Sequence, residues 1–92
     1  MKTPNIDFVM NMTKFYLGGK IDCITFTLDF PYEIEQRYNR MVRENREYAE
    51  LIYDYLVEEG TNESDSLTDD QFKKLIRKQY KYIKDVAREG FL

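Results

Sequence analysis

Histidine and tryptophan are missing from this chain, and cysteine occurs once, at Cys23. Without imidazole and with a single thiol, the chain lacks the usual general base and most of the ligand sets that bind zinc. Its 17 Asp and Glu residues are scattered over a small domain, so pairs at catalytic spacing arise by chance. The composition therefore disfavours an enzyme, and we expect no catalytic residue, no metal site and no cofactor.

Long apolar runs are absent as well, since stretches such as Phe8 to Met10 stop after a few residues. A membrane-spanning helix needs about 20 successive apolar residues, so we expect no membrane partner. Lys2 is followed at once by polar Asn5 and Asp7 rather than by the apolar core of a secretory signal. A lone cysteine agrees with a reducing compartment. We therefore expect a cytoplasmic protein whose 92 residues form one domain with one modest core.

The first helix is predicted to begin at Thr3-Pro4 and to end at Gly18-Gly19. Threonine can cap a helix and proline suits its first turn, whereas glycine favours its end. Residues suited to a core recur between these points at helical spacing, at Ile6, Val9, Met10, Thr13 and Leu17. We expect burial on more than one side, because a second face is also apolar and carries Phe8, Met12 and Phe15.

The next segment supports two interpretations. From Ile24 to Ile34, apolar and polar residues alternate, which is typical of a half-buried strand. A helical series with a spacing of four is equally present, and consists of Phe26, Phe30, Ile34 and Tyr38. Pro31 disfavours a central strand because it cannot donate a ladder hydrogen bond, and no second alternating run offers a partner. We therefore predict a helix capped by Asp22 and kinked or broken near Pro31, with Asp29 capping its second part.

Two further helices are predicted. The third runs from Glu44 to Glu59 and stops at Gly60, because one helical face is apolar and consists of Tyr48, Leu51, Ile52, Tyr55 and Leu56. The polar residues 61–67 then form a loop. The fourth opens at Ser66 or Thr68, ends at Gly90 and buries Phe72, Leu75, Ile76, Gln79, Ile83, Val86 and Ala87. Four amphipathic helices with short connections predict an all-α fold, a small antiparallel four-helix bundle.

Charge is divided unevenly along the chain. Residues 1–70 carry seven Lys and Arg against fifteen Asp and Glu, and residues 71–92 carry seven against two, so their net charges are −8 and +5. Four carboxylates of the third helix follow at intervals of three, four and four, which places them on one solvent-facing side. We call Glu47, Glu50, Asp54 and Glu58 the acidic strip. Three more acids continue it into the loop, and the acidic surface is the strip together with Glu59, Glu63 and Asp65.

The acidic strip has two interpretations. An acidic helix face is usually only solvated, and it can pair with the basic last helix of the same chain. Alternatively, it presents carboxylates to a Lys and Arg cluster on a partner, as an inhibitor of a nucleic-acid enzyme does when it imitates phosphates. Tyr53 lies beside Asp54 and off the apolar stripe, so it joins the candidate interface. The last helix offers a competing hypothesis, a nucleic-acid-binding surface formed by Lys73, Lys74, Arg77, Lys78, Lys81, Lys84 and Arg88.

One signature in the sequence resembles a known family. The stretch Phe15-Tyr16-Leu17-Gly18-Gly19-Lys20-Ile21, followed by Phe26 and Phe30, is similar to the colicin-D-type bacterial self-protection immunity proteins. The aromatic segment 48–56 and the closing helix 67–83 extend the resemblance to most of the chain. Where relatives often carry a Pro-Asp pair, this chain has Glu59-Gly60.

The resemblance implies a four-helix bundle that inhibits a toxin and is not an enzyme. In this family the toxin is a nuclease, in the best-known cases one that cleaves transfer RNA, and acidic side chains near the end of the third helix cover its basic active-site cleft. The matching positions here are Asp54, Glu58 and Glu59, followed by Glu63 and Asp65. We therefore expect a monomer, or a one-to-one complex with the C-terminal nuclease domain of a toxin, and no direct contact with nucleic acid.

Overall fold

Phe26, Phe30 and Ile34 decide between strand and helix in the second segment. In the computed structural model, which describes residues 2–90, all three side chains are buried, whereas Ile24 is 72% exposed. Burial at every fourth position is the pattern of a helix, and the segment forms α2, Cys23–Glu44. The described part of the chain contains no strand. The prediction of an all-α fold is confirmed.

Of the kink or break predicted near Pro31 in α2, the break is wrong. The helix continues through Pro31 without interruption, and Asp29 lies inside it instead of capping a new helix. Pro31 removes the hydrogen bond that a backbone N–H would donate to the carbonyl of Thr27. Phe30 and Ile34, on either side of the proline, nevertheless lie in the core. Side-chain burial therefore outweighs the loss of one backbone hydrogen bond.

The first helix, α1, spans Pro4–Leu17 as predicted and ends in a Schellman motif. Gly19 adopts a φ of 81°, which glycine allows at no steric cost, and the N–H of Lys20 donates to the carbonyl of Phe15 at 2.9 Å. The expected burial of the second face is wrong for Phe8 and Phe15, which are 42% and 46% exposed, whereas Met12 is partly buried against the core. Its neighbours α2 and the last helix cover the other side of α1.

The predicted third helix is divided into two types of helix. Asn45 caps α3, Arg46–Ile52, so Glu44 belongs to α2 instead. The chain then continues as a π helix, Tyr53–Glu58, which we call the π segment. Thr61–Ser66, predicted as a loop, forms a 3₁₀ helix.

The last helix, α4, spans Asp69–Arg88 and is capped by Thr68, one of the two predicted caps. The N–H of Gln71 donates to Thr68 Oγ1 at 3.2 Å, and the N–H of Thr68 donates to Gln71 Oε1 at 3.0 Å. This reciprocal pair is a capping box and satisfies two backbone donors at the start of the helix. The predicted stripe faces the core, and its buried members are Phe72, Ile76, Gln79 and Ile83.

Aromatic residues from α1, α2 and α4 form the centre of the core. Tyr16 stacks on Phe26 with ring centroids 4.4 Å apart, and Phe26 lies 4.9 Å from Phe30. Phe72 adds a third helix at 5.9 Å from Tyr16. Burial of each phenylalanine contributes about 1.5–3 kcal/mol. Between residues 2 and 90, no helix combines the length and the apolarity that crossing a membrane requires.

Glu44, the last residue of α2, binds the N-terminus of α1. Its carboxylate accepts hydrogen bonds from the backbone N–H groups of Asn5 and Ile6, each at 3.0 Å, and from Asn5 Nδ2 at 2.7 Å. Burial raises the pKa of this carboxyl, but the hydrogen bonds from Ile6 and Asn5 and the charge of Arg37 outweigh burial and leave the pKa below its usual value. The carboxylate therefore fixes the start of α1 against the end of α2.

Candidate functional site

The predicted interface residues are exposed to solvent. They come from three successive elements, α3, the π segment and the 3₁₀ helix with its preceding turn. All eight side chains belong to the exposed class, namely Glu47, Glu50, Tyr53, Asp54, Glu58, Glu59, Glu63 and Asp65. Each is therefore accessible to a partner.

The π segment changes which residues of this region face the core. Its hydrogen bonds join residues five apart, so each turn holds about one residue more than an α-helical turn. The N–H of Glu59 donates to the carbonyl of Asp54 at 3.0 Å in this way. As a result Val57 is buried beside Leu56, whereas Glu59 is exposed. A continuous α-helix would have turned Glu59 toward the core and Val57 toward solvent.

Two contacts hold the end of the π segment in place. A Cβ atom on Gly60 would lie 2.6 Å from the carbonyl carbon of Leu56, so only glycine fits without a backbone shift. Gln79 of α4 is buried and donates from Nε2 to the carbonyl of Glu59 at 3.3 Å. The backbone that carries Glu59 is therefore fixed from both sides.

Ion pairs within the described part of the chain do not neutralise the acidic surface. Among residues 2–90, the salt bridges are Glu33 with Arg37 at 3.1 Å and Asp85 with Arg88 at 2.6 Å. The first salt bridge lies within α2 and the second within α4, and neither includes a residue of the acidic surface. Lys78 of α4 shares a groove with Glu59 without pairing to it. The interpretation in which the acidic strip pairs with the basic last helix is therefore not realised.

Tyr38 of α2 adds a second aromatic ring to the site. The sequence pattern had grouped Tyr38 with core residues of this helix. Its ring centroid lies 5.5 Å from that of Tyr53, with the planes at 62° in an edge-to-face pair. Burial raises the pKa of Tyr38, and the charges of Glu50 and Asp54 raise it further. Asp54 follows Tyr53 directly in the chain. The strip therefore borders an aromatic pair that bridges α2 and the π segment.

A groove runs between α2 and the π segment beside this pair, and we call it the α2–π groove. It has a volume of about 410 Å³, and its lining includes Pro31, Ile34, Glu35, Tyr38, Tyr53 and Val57. Its floor is apolar, because Ile34 and Val57 are buried. A carboxylate and the exposed part of a tyrosine form its rim. Such a groove suits an occupant that has both an apolar body and a positive charge.

Part of the acidic surface faces another side of the molecule. Glu59 and Glu63 line a second groove, between the 3₁₀ helix and α4, and Tyr53 does not belong to it. Tyr55 also faces α4, with its ring centroid 4.9 Å from that of Tyr82, and the interaction with Tyr82 raises the pKa of Tyr55. The predicted site therefore wraps around the π segment rather than forming one flat face.

Two kinds of reactive group, metal-ligand clusters and thiols, were sought among the described residues. Between residues 2 and 90, no three Cys, Asp or Glu side chains converge in a way that could hold a metal ion. Burial raises the pKa of the Cys23 thiol, which opposes the thiolate form needed of a nucleophile. Comparisons of the chain with models of known families, with curated proteins and with solved structures found no match.

Proposed function

We propose that this protein is an inhibitor that binds a basic protein partner through its acidic surface. More specifically, it acts as an immunity protein of the colicin-D type and neutralises a cognate bacterial toxin, a nuclease that cleaves transfer RNA, by covering its basic active-site cleft. The observation that carries the proposal is the exposed acidic strip, which forms no ion pair with any residue between 2 and 90. The resemblance of the sequence supplies the class of partner.

The physical support is the cost of leaving such a strip uncompensated. Like charges at helical spacing destabilise an isolated helix by about 0.2–0.5 kcal/mol per pair, and Glu50, Asp54 and Glu58 follow one another at that spacing. A basic partner removes this repulsion on binding. Its attraction also accelerates encounter, so the association rate should fall as salt is added.

We also propose how the helices pack, where the protein works and how many copies bind the toxin. The four helices pack as an antiparallel bundle, the protein works in the cytoplasm as a monomer, and it forms a one-to-one complex with the C-terminal domain of the toxin. It is not an enzyme and needs no cofactor.

A second candidate function is nucleic-acid binding through α4. One observation favours it, because six of the seven basic residues of α4 are exposed: Lys74, Arg77, Lys78, Lys81, Lys84 and Arg88. The acidic net charge of −3 opposes it, since binders of this kind are usually basic. An electrophoretic mobility assay with transfer RNA at physiological salt separates the candidates, because the immunity proposal expects no shift.

The direct test is co-expression with the C-terminal domain of the protein encoded immediately upstream. We expect growth to be restored and a one-to-one complex to co-purify. The double variant Glu58→Lys, Glu59→Lys should weaken binding by at least about tenfold. The control, Asp29→Lys with Glu89→Lys, changes net charge equally at exposed sites away from the acidic surface. Equal affinity of the two double variants would remove Glu58 and Glu59 from the interface, and absence of both rescue and complex would reject the immunity function.

A further inference from the structure

The α2–π groove differs from the rest of the acidic surface because it combines an aromatic ring, an apolar floor and negative charge. Tyr53 is 36% exposed although it packs edge-to-face on Tyr38, so part of its ring remains accessible to a partner. Glu35 lines the same groove from α2. A carboxylate and a partly exposed aromatic ring that line one groove have the chemistry to bind an organic cation.

Charge complementarity around the groove identifies its occupant. Among the described residues that line it, none is Lys or Arg. Glu35 lies in its lining, and Asp54 follows the lining residue Tyr53 in the chain. Burial and the charges of Glu50 and Asp54 raise the pKa of the Tyr38 hydroxyl. Arg46 also acts on that hydroxyl, with the opposite sign, but forms no salt bridge with the acids in the described part of the chain. The local charge is therefore negative, and a cationic side chain fits it.

We propose that the α2–π groove receives an arginine side chain of the partner, with the guanidinium group stacked on Tyr53 and facing the carboxylate of Glu35. Arginine fits better than lysine for two reasons. Its planar group stacks on aromatic rings and is more weakly hydrated than an ammonium, so an apolar floor opposes its entry less. Its fork of donors can also form two parallel hydrogen bonds with one carboxylate. This inference rests on the proposed function for the statement that the partner is a basic protein.

A peptide titration tests the groove without the toxin. The probe is acetyl-Gly-Arg-Gly-amide, added to the ¹⁵N-labelled protein and followed by two-dimensional NMR, with the lysine and citrulline peptides as comparisons. We expect shifts concentrated at Tyr38, Tyr53 and Asp54, and weaker binding of the other two peptides. Uniform shifts over all acidic residues, or equal binding of the lysine peptide, would overturn the proposal.

Matched variants make the test specific to the groove. Tyr53→Leu should weaken arginine-peptide binding by about two- to fivefold. The control is Tyr82 of α4, which is 46% exposed and, like Tyr53, pairs with a second tyrosine. Tyr82→Leu should leave binding of the arginine peptide unchanged. Glu35→Gln should also weaken binding of the arginine peptide. Because Glu35 is exposed, this second variant keeps the test valid if Tyr53→Leu disturbs the fold.

The same variants distinguish failure of this inference from failure of the proposed function. If the toxin domain binds Tyr53→Leu and Glu35→Gln as tightly as it binds the unaltered protein, the groove is not the contact and the immunity function stands. If the upstream toxin domain does not bind at all but the arginine peptide binds in the groove, the preference for arginine stands and the identity of the partner is wrong.

Discussion

Replacing Glu44 by Gln should destabilise the protein, because this carboxylate binds the N-terminus of α1. The two backbone N–H groups that it accepts, those of Asn5 and Ile6, have no partner inside α1. A carboxylate at a helix N-terminus contributes up to about 2 kcal/mol in partly buried geometry, and a hydrogen bond to a charged group contributes about 1.5–3 kcal/mol. Glutamine keeps one acceptor oxygen, so we expect a loss of about 1–2 kcal/mol, or roughly 4–16 °C in Tm for a domain of this size.

The pH dependence identifies the charge as the cause. The pKa of Glu44 is lower in the folded protein than its unperturbed value of 4.5, so the folded state favours the ionised form. Its contribution is fully present above pH 4.5 and is lost as pH falls through the lower, folded pKa. The stability gap between the unaltered protein and Glu44→Gln should therefore be constant at neutral pH and shrink in acid.

Urea unfolding followed by circular dichroism between pH 7 and about pH 3 measures this gap directly. Glu35→Gln on the same helix is the control, since that side chain is exposed and should change stability by less than about 0.5 kcal/mol. A gap that stays the same at all pH values, or no gap at pH 7, would refute the role given to the carboxylate.

Two further substitutions test the end of the π segment. Gly60→Ala should lower the free energy of unfolding by about 1–3 kcal/mol or more, because the added Cβ would meet the backbone of Leu56. The control Gly18→Ala places a Cβ 3.4 Å from a carbonyl oxygen and should cost far less. Equal urea midpoints of the two variants would contradict the close approach at Gly60. Thr61→Val should raise the free energy of unfolding by up to about 1–3 kcal/mol, because Thr61 Oγ1 is buried without a hydrogen-bond partner among the described residues. A loss of stability would show that the hydroxyl forms a hydrogen bond.

Local signals in the sequence located the ends of α1 and narrowed the start of α4 to two residues, Ser66 and Thr68. A proline and paired glycines mark α1, and serine or threonine can cap α4, which begins after Thr68. These signals act within a few residues, so a single chain reveals them. The burial of Phe8 and Phe15 could not be judged in the same way, because it depends on which sides of α1 the other helices cover.

The candidate site was only partly predictable for the same reason. The acidic strip follows from the spacing of its carboxylates, and all of its residues are exposed. The sequence did not indicate Tyr38 as a site residue, because its partner there, Tyr53, belongs to another helix. Tyr38 also follows Ile34 at the spacing of a core residue. The α2–π groove is a product of packing between two elements, and no local pattern encodes it.

The order of residues around the π segment explains why the chain adopts a rare conformation there. Continued as an α-helix, the stretch would place Val57 in solvent and direct Glu59 at the core. That arrangement forfeits about 1.5–3 kcal/mol for the valine and adds the larger cost of desolvating a carboxylate. The π segment avoids both, and Gly60 and Gln79 supply the close approach and the hydrogen bond that complete it. The requirement to bury Val57 and to expose Glu59 therefore selects the conformation, which in turn holds Tyr53 against α2 and the carboxylates outside.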